Sequence, residues 1–404
     1  MITRRMMLAA GSASLGVVQP MPAKAQRQTG AIRIGVLEDM SGVFSELGGQ
    51  GTVVAARMAV EDFGGTVLDR PIEVLGGDHH NKPDIGGAIA RKWFDADNVG
   101  LITGLTNSAV ALAIHTLAAE KDRIDIVVNA TNDALIEENC SPNGIMWNYT
   151  ARAVVTSTVT QALKSVGKSW FFVASDFVGG HIMENEASPL LRAAGGRSVG
   201  SIYPPLGTTD FSSELLAAQS SGAEVLAVVT YGQDFLNIMK QAAEFGILRT
   251  MRPVVPFVYQ SDLHAVGPAV IQGMTVAAPF YWDLNPETRA WSARFRALTG
   301  RAPDMGHGGA YAAVSHYLKS VRLAGTDKAG PVLQAMRSLP IDDMYTSGAS
   351  IRRDGMVVRP MHLFEGKAPA ESRDPWDLLR HTGTVDKDAA FALPPGNKCH
   401  LLET

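Results

Sequence analysis

The sequence predicts an α/β protein built from two doubly wound parallel-sheet lobes. Three observations predict it: a length of 404 residues, 40 glycines, and a repeated alternation of short apolar runs with amphipathic stretches. The length exceeds what one hydrophobic core usually organises, so we expect two domains. Glycine at this frequency suits a fold with many short turns between strands and helices.

The first series of alternating segments runs from residue 32 to residue 129. Each apolar run has the length of a strand, and each following stretch places apolar residues three and four apart, as a helix that packs on a sheet requires. Such a βαβ series predicts a parallel sheet. The segments are 32–37, 52–63, 71–75, 84–94, 100–103, 108–119 and 124–129.

A second, similar series follows a stretch rich in Pro, Gly and Asn. Its segments are 154–166, 170–174, 181–194, 198–202, 212–220, 225–230, 235–245 and 254–258. One more apolar run, 273–278, precedes helices predicted at 287–299, 309–323 and 329–336, which we expect to pack back on the first unit. Asp354-Gly355 predicts a hairpin between 350–352 and 356–363. The Pro-rich remainder predicts a mostly irregular tail.

These patterns divide the chain into a leader, two lobes and a tail. We predict a signal peptide at 1–25, lobe 1 at 31–149 plus 280–345, lobe 2 at 150–279 plus 346–364, and a C-terminal tail at 365–404.

The leader has the three parts of an export signal. Arg4 and Arg5 precede a weakly apolar run over 6–18, and Ala23-Lys24-Ala25 forms a cleavage site. The arginine pair fits the twin-arginine route, and the general secretory route is the alternative. A disordered or membrane-anchoring N-terminus is the other interpretation. No later stretch reaches ~18 uninterrupted apolar residues, so we expect no membrane span.

Composition and cysteine content narrow the function further. Lys plus Arg total 36 against 40 for Asp plus Glu, a formal charge of −4, so there is no basic surplus to bind nucleic acid. The two cysteines, Cys140 and Cys399, are expected to form a disulfide, because thiols are oxidised outside the cytoplasm. Two free buried thiols are the alternative.

Two loops after predicted strands carry groups that can hold an anion. In an open parallel sheet, ligands bind at the carboxyl ends of strands, where helix N-termini present free N–H groups. Asn107 and Ser108 follow one strand, and Asn129, Ala130 and Thr131 follow the next. We expect them to hold a carboxylate; ordinary helix capping is the alternative.

Signals for catalysis are weak, so we expect no enzyme, no cofactor and no metal. The sequence contains no H-E-x-x-H, Walker loop, strand-linked G-x-G-x-x-G or nucleophile elbow. Asp78, His79 and His80 are the best metal candidates, but adjacent histidines seldom converge on one ion. His307 fits a helix start better than a general base.

Several aromatic residues occur in loops or just after strands rather than along helix faces. We expect some to line a cleft, with core packing as the alternative for each. They are Trp147, Tyr149, Phe177, Tyr231, Tyr259, Tyr281 and Trp282.

Short motifs along nearly the whole mature chain resemble one family. They are Ile34-Gly35-Val36-Leu37 with Ser41-Gly42, the segment 88–94, Asn107-Ser108 followed by 109–113, Ala130-Thr131-Asn132-Asp133-Ala134-Leu135, Asn139-Cys140-Ser141-Pro142, Gly207-Thr208-Thr209-Asp210-Phe211-Ser212, the segment 240–246, and Phe280-Tyr281-Trp282-Asp283. Together they resemble the type I periplasmic substrate-binding proteins of ABC importers, in the leucine/isoleucine/valine-binding branch.

The resemblance implies a fold and a set of roles. It implies two lobes joined by a three-crossover hinge that close over a ligand, a periplasmic location, a membrane permease as partner, and a monomer. Ser108 and the backbone of Ala130 and Thr131 match the family's carboxylate-holding groups.

The ammonium-holding end of the family's site departs from the pattern. Phe177 and Gly179 replace a tyrosine beside Gly180, and the stretch 258–261 offers no acid before Asp262. An unpaired buried ammonium is costly. Members with this cysteine pair and tail resemble binders of aromatic or other organic carboxylates.

The expected ligand is therefore a carboxylate with an apolar or aromatic body, clasped by Tyr149, Phe177, Tyr231 and Tyr259. A branched-chain amino acid is the second candidate. A ligand sensor for a signalling partner and a metal-dependent hydrolase are the alternatives in function.

Overall fold

A computed structural model describes residues 30–42, 44–176 and 178–403. The predicted signal peptide, 1–25, lies outside the described residues. Among the residues described, no helix is both long and apolar enough to cross a membrane.

Fifteen strands and thirteen helices are described along the chain. The strands are β1 (Ile32–Glu38), β2 (Thr66–Val67), β3 (Arg70–Asp78), β4 (Val99–Gly104), β5 (Ile124–Val127), β6 (Gly144–Met146), β7 (Ser169–Ala174), β8 (Arg197–Ile202), β9 (Val225–Val229), β10 (Arg252–Val254), β11 (Thr275–Ala278), β12 (Ser350–Ile351), β13 (Val357–Val358), β14 (Met361–Gly366) and β15 (Leu379–Val385). The helices are α1 (Gly49–Phe63), α2 (Pro83–Asp95), α3 (Ser108–Glu120), α4 (Ala151–Ser165), α5 (Val178–Ala193), α6 (Ser212–Ser220), α7 (Gly232–Glu244), α8 (Gln260–Val266), α9 (Pro268–Ile271), α10 (Pro286–Thr299), α11 (Met305–Ala324), α12 (Ala329–Ser338) and α13 (Lys387–Ala390).

The first lobe is built on a six-stranded sheet in the order β2-β3-β1-β4-β5-β6. All of its pairings are parallel except that of β2 with β3. Gly35 lies in the middle of β1 because the ring of Trp93 from α2 occupies the space where a side chain would project, 2.5 Å from an added Cβ. The strand order reverses at β1, so the carboxyl ends of β1, β4 and β5 border the crevice where α/β sheets bind ligands.

The second lobe is built on a seven-stranded mixed sheet in the order β15-β14-β11-β10-β9-β7-β8. Strands β7 to β11 pair in parallel, whereas β14 and β15 are antiparallel. The expectation of a mostly irregular tail is wrong for β15. That strand lies at the edge of the sheet, and only Leu379 among its residues is buried, so no apolar run marked it.

The chain passes between the two sheets three times, at 147–150, 279–285 and 339–360. Helices α10 to α12 return to the first lobe, where α11 packs on α1, in agreement with the predicted return of the final third. The predicted hairpin forms as β12 and β13, with Gly355 at φ +90°. A bridge between Met146 and Met356 places this hairpin beside β6; within 346–364, the segment predicted for lobe 2, β14 is the described strand that joins the second sheet.

Cys140 and Cys399 form the predicted disulfide, with their Cα atoms 5.5 Å apart. The bond ties the end of the chain to the first lobe. The tail also holds the second crossing: the carbonyl of Trp376 accepts hydrogen bonds from Gln260 (2.9 Å), Tyr281 (3.1 Å) and Trp282 (2.8 Å).

Candidate functional site

The two loops predicted to hold an anion lie side by side at the carboxyl edge of the first sheet. Asn107 caps α3, because its side-chain oxygen accepts the N–H groups of Ala109 (2.9 Å) and Val110 (3.1 Å). The side-chain amide of Asn132 donates to the carbonyl of Ser108 at 3.5 Å. This bond joins the loop after β4 to the loop after β5.

Three donors in these loops have no hydrogen-bond partner among the described residues. Over the described part of the chain, no hydrogen bond engages the Ser108 hydroxyl or the N–H groups of Ala130 and Thr131. Ala130 is buried, and Ser108 and Thr131 are half-buried. Ser108 is the first residue of α3, and donors at the start of a helix favour a negatively charged partner.

Asn107 and Asn129 have structural roles beside these donors. The side-chain oxygen of Asn107 accepts the hydrogen bonds that cap α3. Asn129 is buried, donates from its side chain to Glu38 at 2.9 Å, and accepts the hydroxyl of Tyr149 on its carbonyl at 3.2 Å. The two asparagines hold the loops, whereas Ser108, Ala130 and Thr131 present free donors.

Glu38, the last residue of β1, carries a fully buried carboxylate beneath the two loops. One oxygen accepts hydrogen bonds from Thr52 (3.1 Å) and Asn129 (2.9 Å), and the other accepts the N–H (3.2 Å) and the hydroxyl of Thr106. Burial raises the pKa of Glu38 to about 7, and the hydrogen bonds oppose that rise.

Three of the four predicted aromatic residues converge on a fourth ring, that of Phe257. Its ring centre lies 5.0 Å from Tyr149, 6.0 Å from Tyr231 and 4.7 Å from Tyr259. The hydroxyls of Tyr149 and Tyr259 are also hydrogen-bonded to each other. Burial raises the pKa of all three tyrosines, so they are neutral at physiological pH. These four rings are referred to below as the aromatic cluster.

The aromatic cluster lies where the first crossing meets the second lobe. Tyr149 lies in the first crossing, Tyr231 precedes α7, and Tyr259 precedes α8. Phe257 was not singled out from the sequence, because it falls within the apolar run 254–258 that predicted a strand. The actual strand, β10, ends at Val254, so Phe257 lies in the loop beyond it. The fourth predicted residue, Phe177, lies outside the described residues.

Aspartates lie at the N-termini of three helices in the second lobe; Asp304 is buried, and Asp133 and Asp262 are half-buried. Asp133 accepts the first two N–H groups of α4, at 2.9 and 3.3 Å. Asp304 accepts the first N–H of α8 at 2.7 Å, and Asp262 accepts the first N–H of α7. Each of these helix starts thus has a carboxylate of the protein itself, whereas the Ser108 hydroxyl and the N–H groups of Ala130 and Thr131 have no partner among the described residues.

Burial perturbs the ionisation of these aspartates. It raises the pKa of Asp133 and of Asp304 to about 6. Burial, and next the nearby charge of Asp304, raise the pKa of Asp262 to about 7. Asp262 is therefore a carboxyl group close to the aromatic cluster whose charge is poorly compensated.

The contacts of the Asp78-His79-His80 segment link it to the loop that contains Ser41. The Ser41 hydroxyl donates to Asp78 at 2.7 Å and lies 3.0 Å from Nδ1 of His80, the same ring nitrogen that faces Asp78 at 3.2 Å. In a catalytic serine-histidine-aspartate arrangement, the serine and the aspartate contact opposite nitrogens of the imidazole. Here both contact Nδ1 of His80, so the arrangement is not of that kind. Among the described residues, no group of three or more His, Cys, Asp or Glu is placed to hold a metal ion.

His307, which fitted a helix start, contributes to the start of α11. Its Nδ1 accepts the N–H of Asp304 at 2.9 Å, and its Nε2 donates to the carbonyl of Gly48 at 3.2 Å. Burial lowers the pKa of His307 to about 3.

Two solved structures are similar to this chain in both sequence and fold. A periplasmic binding protein from Burkholderia mallei is 37% identical, with a TM-score of 0.85, and the match covers 92% of this chain and 99% of that one. A branched chain amino acid ABC transporter periplasmic ligand-binding protein from Burkholderia xenovorans LB400 is 34% identical, with a TM-score of 0.87 and the same coverage.

A more distant structure shares the fold. It is a solute-binding protein of an ABC transporter from R. palustris, in complex with benzoate, with 21% identity and a TM-score of 0.79 over 92% of this chain and 100% of that one. The family model described as periplasmic binding protein matches residues 31–372. This chain belongs to the periplasmic binding protein family, among the substrate-binding proteins of ABC transporters.

Proposed function

We propose that the protein captures a small carboxylate with an aromatic or apolar body in the periplasm and delivers it to an ABC importer permease. The observation that carries the proposal is the set of unused donors, the Ser108 hydroxyl and the N–H groups of Ala130 and Thr131, in two joined loops of the first lobe. A carboxylate pairs with such donors without any change in covalent bonds.

The aromatic cluster supports an apolar or aromatic ligand body. Three of its rings come from the second lobe and the fourth, Tyr149, from the first crossing. A ligand that contacts them and the loops of the first lobe therefore favours the closed form over the open one. The benzoate complex of the R. palustris protein is consistent with this ligand class.

A branched-chain amino acid is the second candidate ligand, and Asp262 is the observation that favours it. A ligand ammonium beside this half-buried carboxyl group would compensate its charge. The name of the Burkholderia xenovorans relative agrees with this candidate.

A ligand panel tests the proposal and separates the two ligand classes. Ligand at 100 times its Kd adds about 2.7 kcal/mol to the free energy of unfolding. At about 2.1 cal/mol/K per residue, that addition raises the Tm of a chain of this length by about 3 °C. We expect benzoate and related aromatic acids to give this shift, and a response confined to amino acids would reject the preferred ligand class.

Two variants locate the ligand's charged groups. Ser108→Ala removes one donor and should weaken binding about tenfold, whereas Ser212→Ala, at the first position of α6 in the other lobe, is a matched control that should bind normally. Unchanged affinity in Ser108→Ala would place the carboxylate elsewhere. Asp262→Asn should abolish the response to leucine only if the ligand is an amino acid.

A further inference from the structure

The carboxylate of Glu38 is bonded to both loops of the proposed anion site. Thr106, which supplies two of its donors, directly precedes Asn107 and Ser108. Asn129, which supplies a third, directly precedes Ala130 and Thr131. Each unused donor therefore lies within two residues of a group that is fixed on the same carboxylate.

The loop after β4 adopts a backbone conformation that needs such an anchor. Gly104 has φ +100° and Leu105 has φ +65°. Leucine rarely adopts a left-handed conformation, because its Cβ then lies too close to the following carbonyl oxygen. The surrounding structure must therefore stabilise the conformation of Leu105. The hydrogen bonds from the next residue, Thr106, to Glu38 fix the backbone directly after it.

The space around the carboxylate is closed on two sides by glycines. A Cβ atom added to Gly48 would lie 2.6 Å from the Glu38 carboxyl group, and one added to Gly104 would lie 2.9 Å from it. Because the carboxylate is confined in this way, its two oxygens have fixed directions. The loops bonded to them therefore have a fixed separation.

We propose that Glu38 is a positioning residue that sets the spacing of the two anion-binding loops, and so determines affinity for the ligand carboxylate. The proposal rests on the proposed function, since it concerns the same site. Glu38 acts through Thr106 and Asn129 and does not itself contact the ligand.

Variants of Glu38 and Thr106 test the proposal with benzoate and L-leucine as probes. Glu38→Gln keeps the size of the side chain but offers one acceptor oxygen in place of two, so one loop loses its anchor. Thr106→Val removes the hydroxyl donor and keeps the shape. Each should weaken binding of the responding probe about tenfold, because the loop order that the lost hydrogen bond supplied then has to be imposed by the ligand. Thr106→Ser, which keeps the hydroxyl, should restore the affinity that valine loses.

Asp125→Asn is the matched control. Asp125 is also a fully buried carboxylate of the same sheet, on β5, but its partner is His115 at 2.9 Å and not the loops. The control should lower the Tm without changing affinity. A loss of affinity in this control equal to that in Glu38→Gln, or normal affinity in both Glu38→Gln and Thr106→Val, would overturn the proposal.

Amide hydrogen exchange of the ligand-free protein separates failure of this inference from failure of the proposed function. In Glu38→Gln or Thr106→Val, the segments 104–110 and 128–133 should exchange faster than in the wild type, with α12 unchanged. If neither probe binds the wild type, the proposed function fails, and this exchange still decides the role of Glu38. Unchanged exchange in both variants would overturn it.

Discussion

Phe257 is the residue through which the aromatic cluster can be perturbed most directly. It is 4% exposed and has three aromatic neighbours, with ring centres 4.7 to 6.0 Å away. Phe257→Leu keeps most of the apolar volume and removes the ring that Tyr149, Tyr231 and Tyr259 share. The change therefore isolates the ring contacts from burial.

The size of the effect follows from those contacts. Aromatic pairs contribute about 0.5–1.5 kcal/mol each beyond burial. If the three pairs were additive, they would contribute roughly 1.5–4.5 kcal/mol. Pair energies within one cluster are not additive, so we expect Phe257→Leu to lower the free energy of unfolding by about 2 kcal/mol. Phe172→Leu is the control: Phe172 is also buried, on β7, and within the described part of the chain its ring pairs with that of Trp170 alone, at 6.0 Å.

Urea unfolding at pH 7 measures both variants against the wild type. Phe257→Leu should lose at least 1 kcal/mol more than Phe172→Leu, and it should also weaken binding of the responding probe, since Tyr149, Tyr231 and Tyr259 lose their common support. Equal losses in the two variants would refute the reasoning that the ring contacts, rather than burial, stabilise this region.

Three further predictions concern the disulfide, acid stability and helix α11. Cys140→Ser with Cys399→Ser opens a loop of 259 positions and should lower the free energy of unfolding by up to about 5 kcal/mol; urea midpoints with and without reductant check this, and a reductant-insensitive midpoint contradicts it. The pKa of His307 is lowered by burial to about 3, so its contribution to stability is complete above pH 6.5 and is lost as the pH falls toward 3. The wild type should therefore lose about 3 kcal/mol more than His307→Gln between pH 6.5 and 4, and equal slopes in urea unfolding would show that His307 titrates normally. Gly306→Ala places a Cβ 1.9 Å from the side-chain oxygen of Asn129 and should cost about 1–3 kcal/mol and reduce probe binding; a wild-type Tm would mean that Asn129 can move away freely.

The fold was predictable because its strands and helices carry strong periodic signals. The paired βαβ series, the return of the final third and the Asp354-Gly355 turn all follow from patterns within a short window of sequence. β15 could not be predicted in that way, because an exposed edge strand has no apolar alternation. Its place depends on pairing with β14.

The candidate site was predictable only in part, since its supporting residues carry no local signal. The loops of Ser108 and Thr131 follow from the rule that ligands bind at the carboxyl ends of strands. Glu38 is a single acid after an apolar run, and its role emerges from contacts with Thr106 and Asn129, which lie 68 and 91 positions away along the chain. Contacts of that separation are set by the topology of the sheet.

The C-terminal strand covers β14, which would otherwise form an unpaired edge of the second sheet. An unpaired sheet edge is a template on which other chains can assemble, and proteins commonly guard such edges with charges. β15 covers β14, and its residue Arg380 is exposed and forms ion pairs with both Glu365 and Glu371. A chain cut before Leu379 would expose the backbone of β14, so loss of the last 26 residues should lead to aggregation as well as to loss of the covalent link.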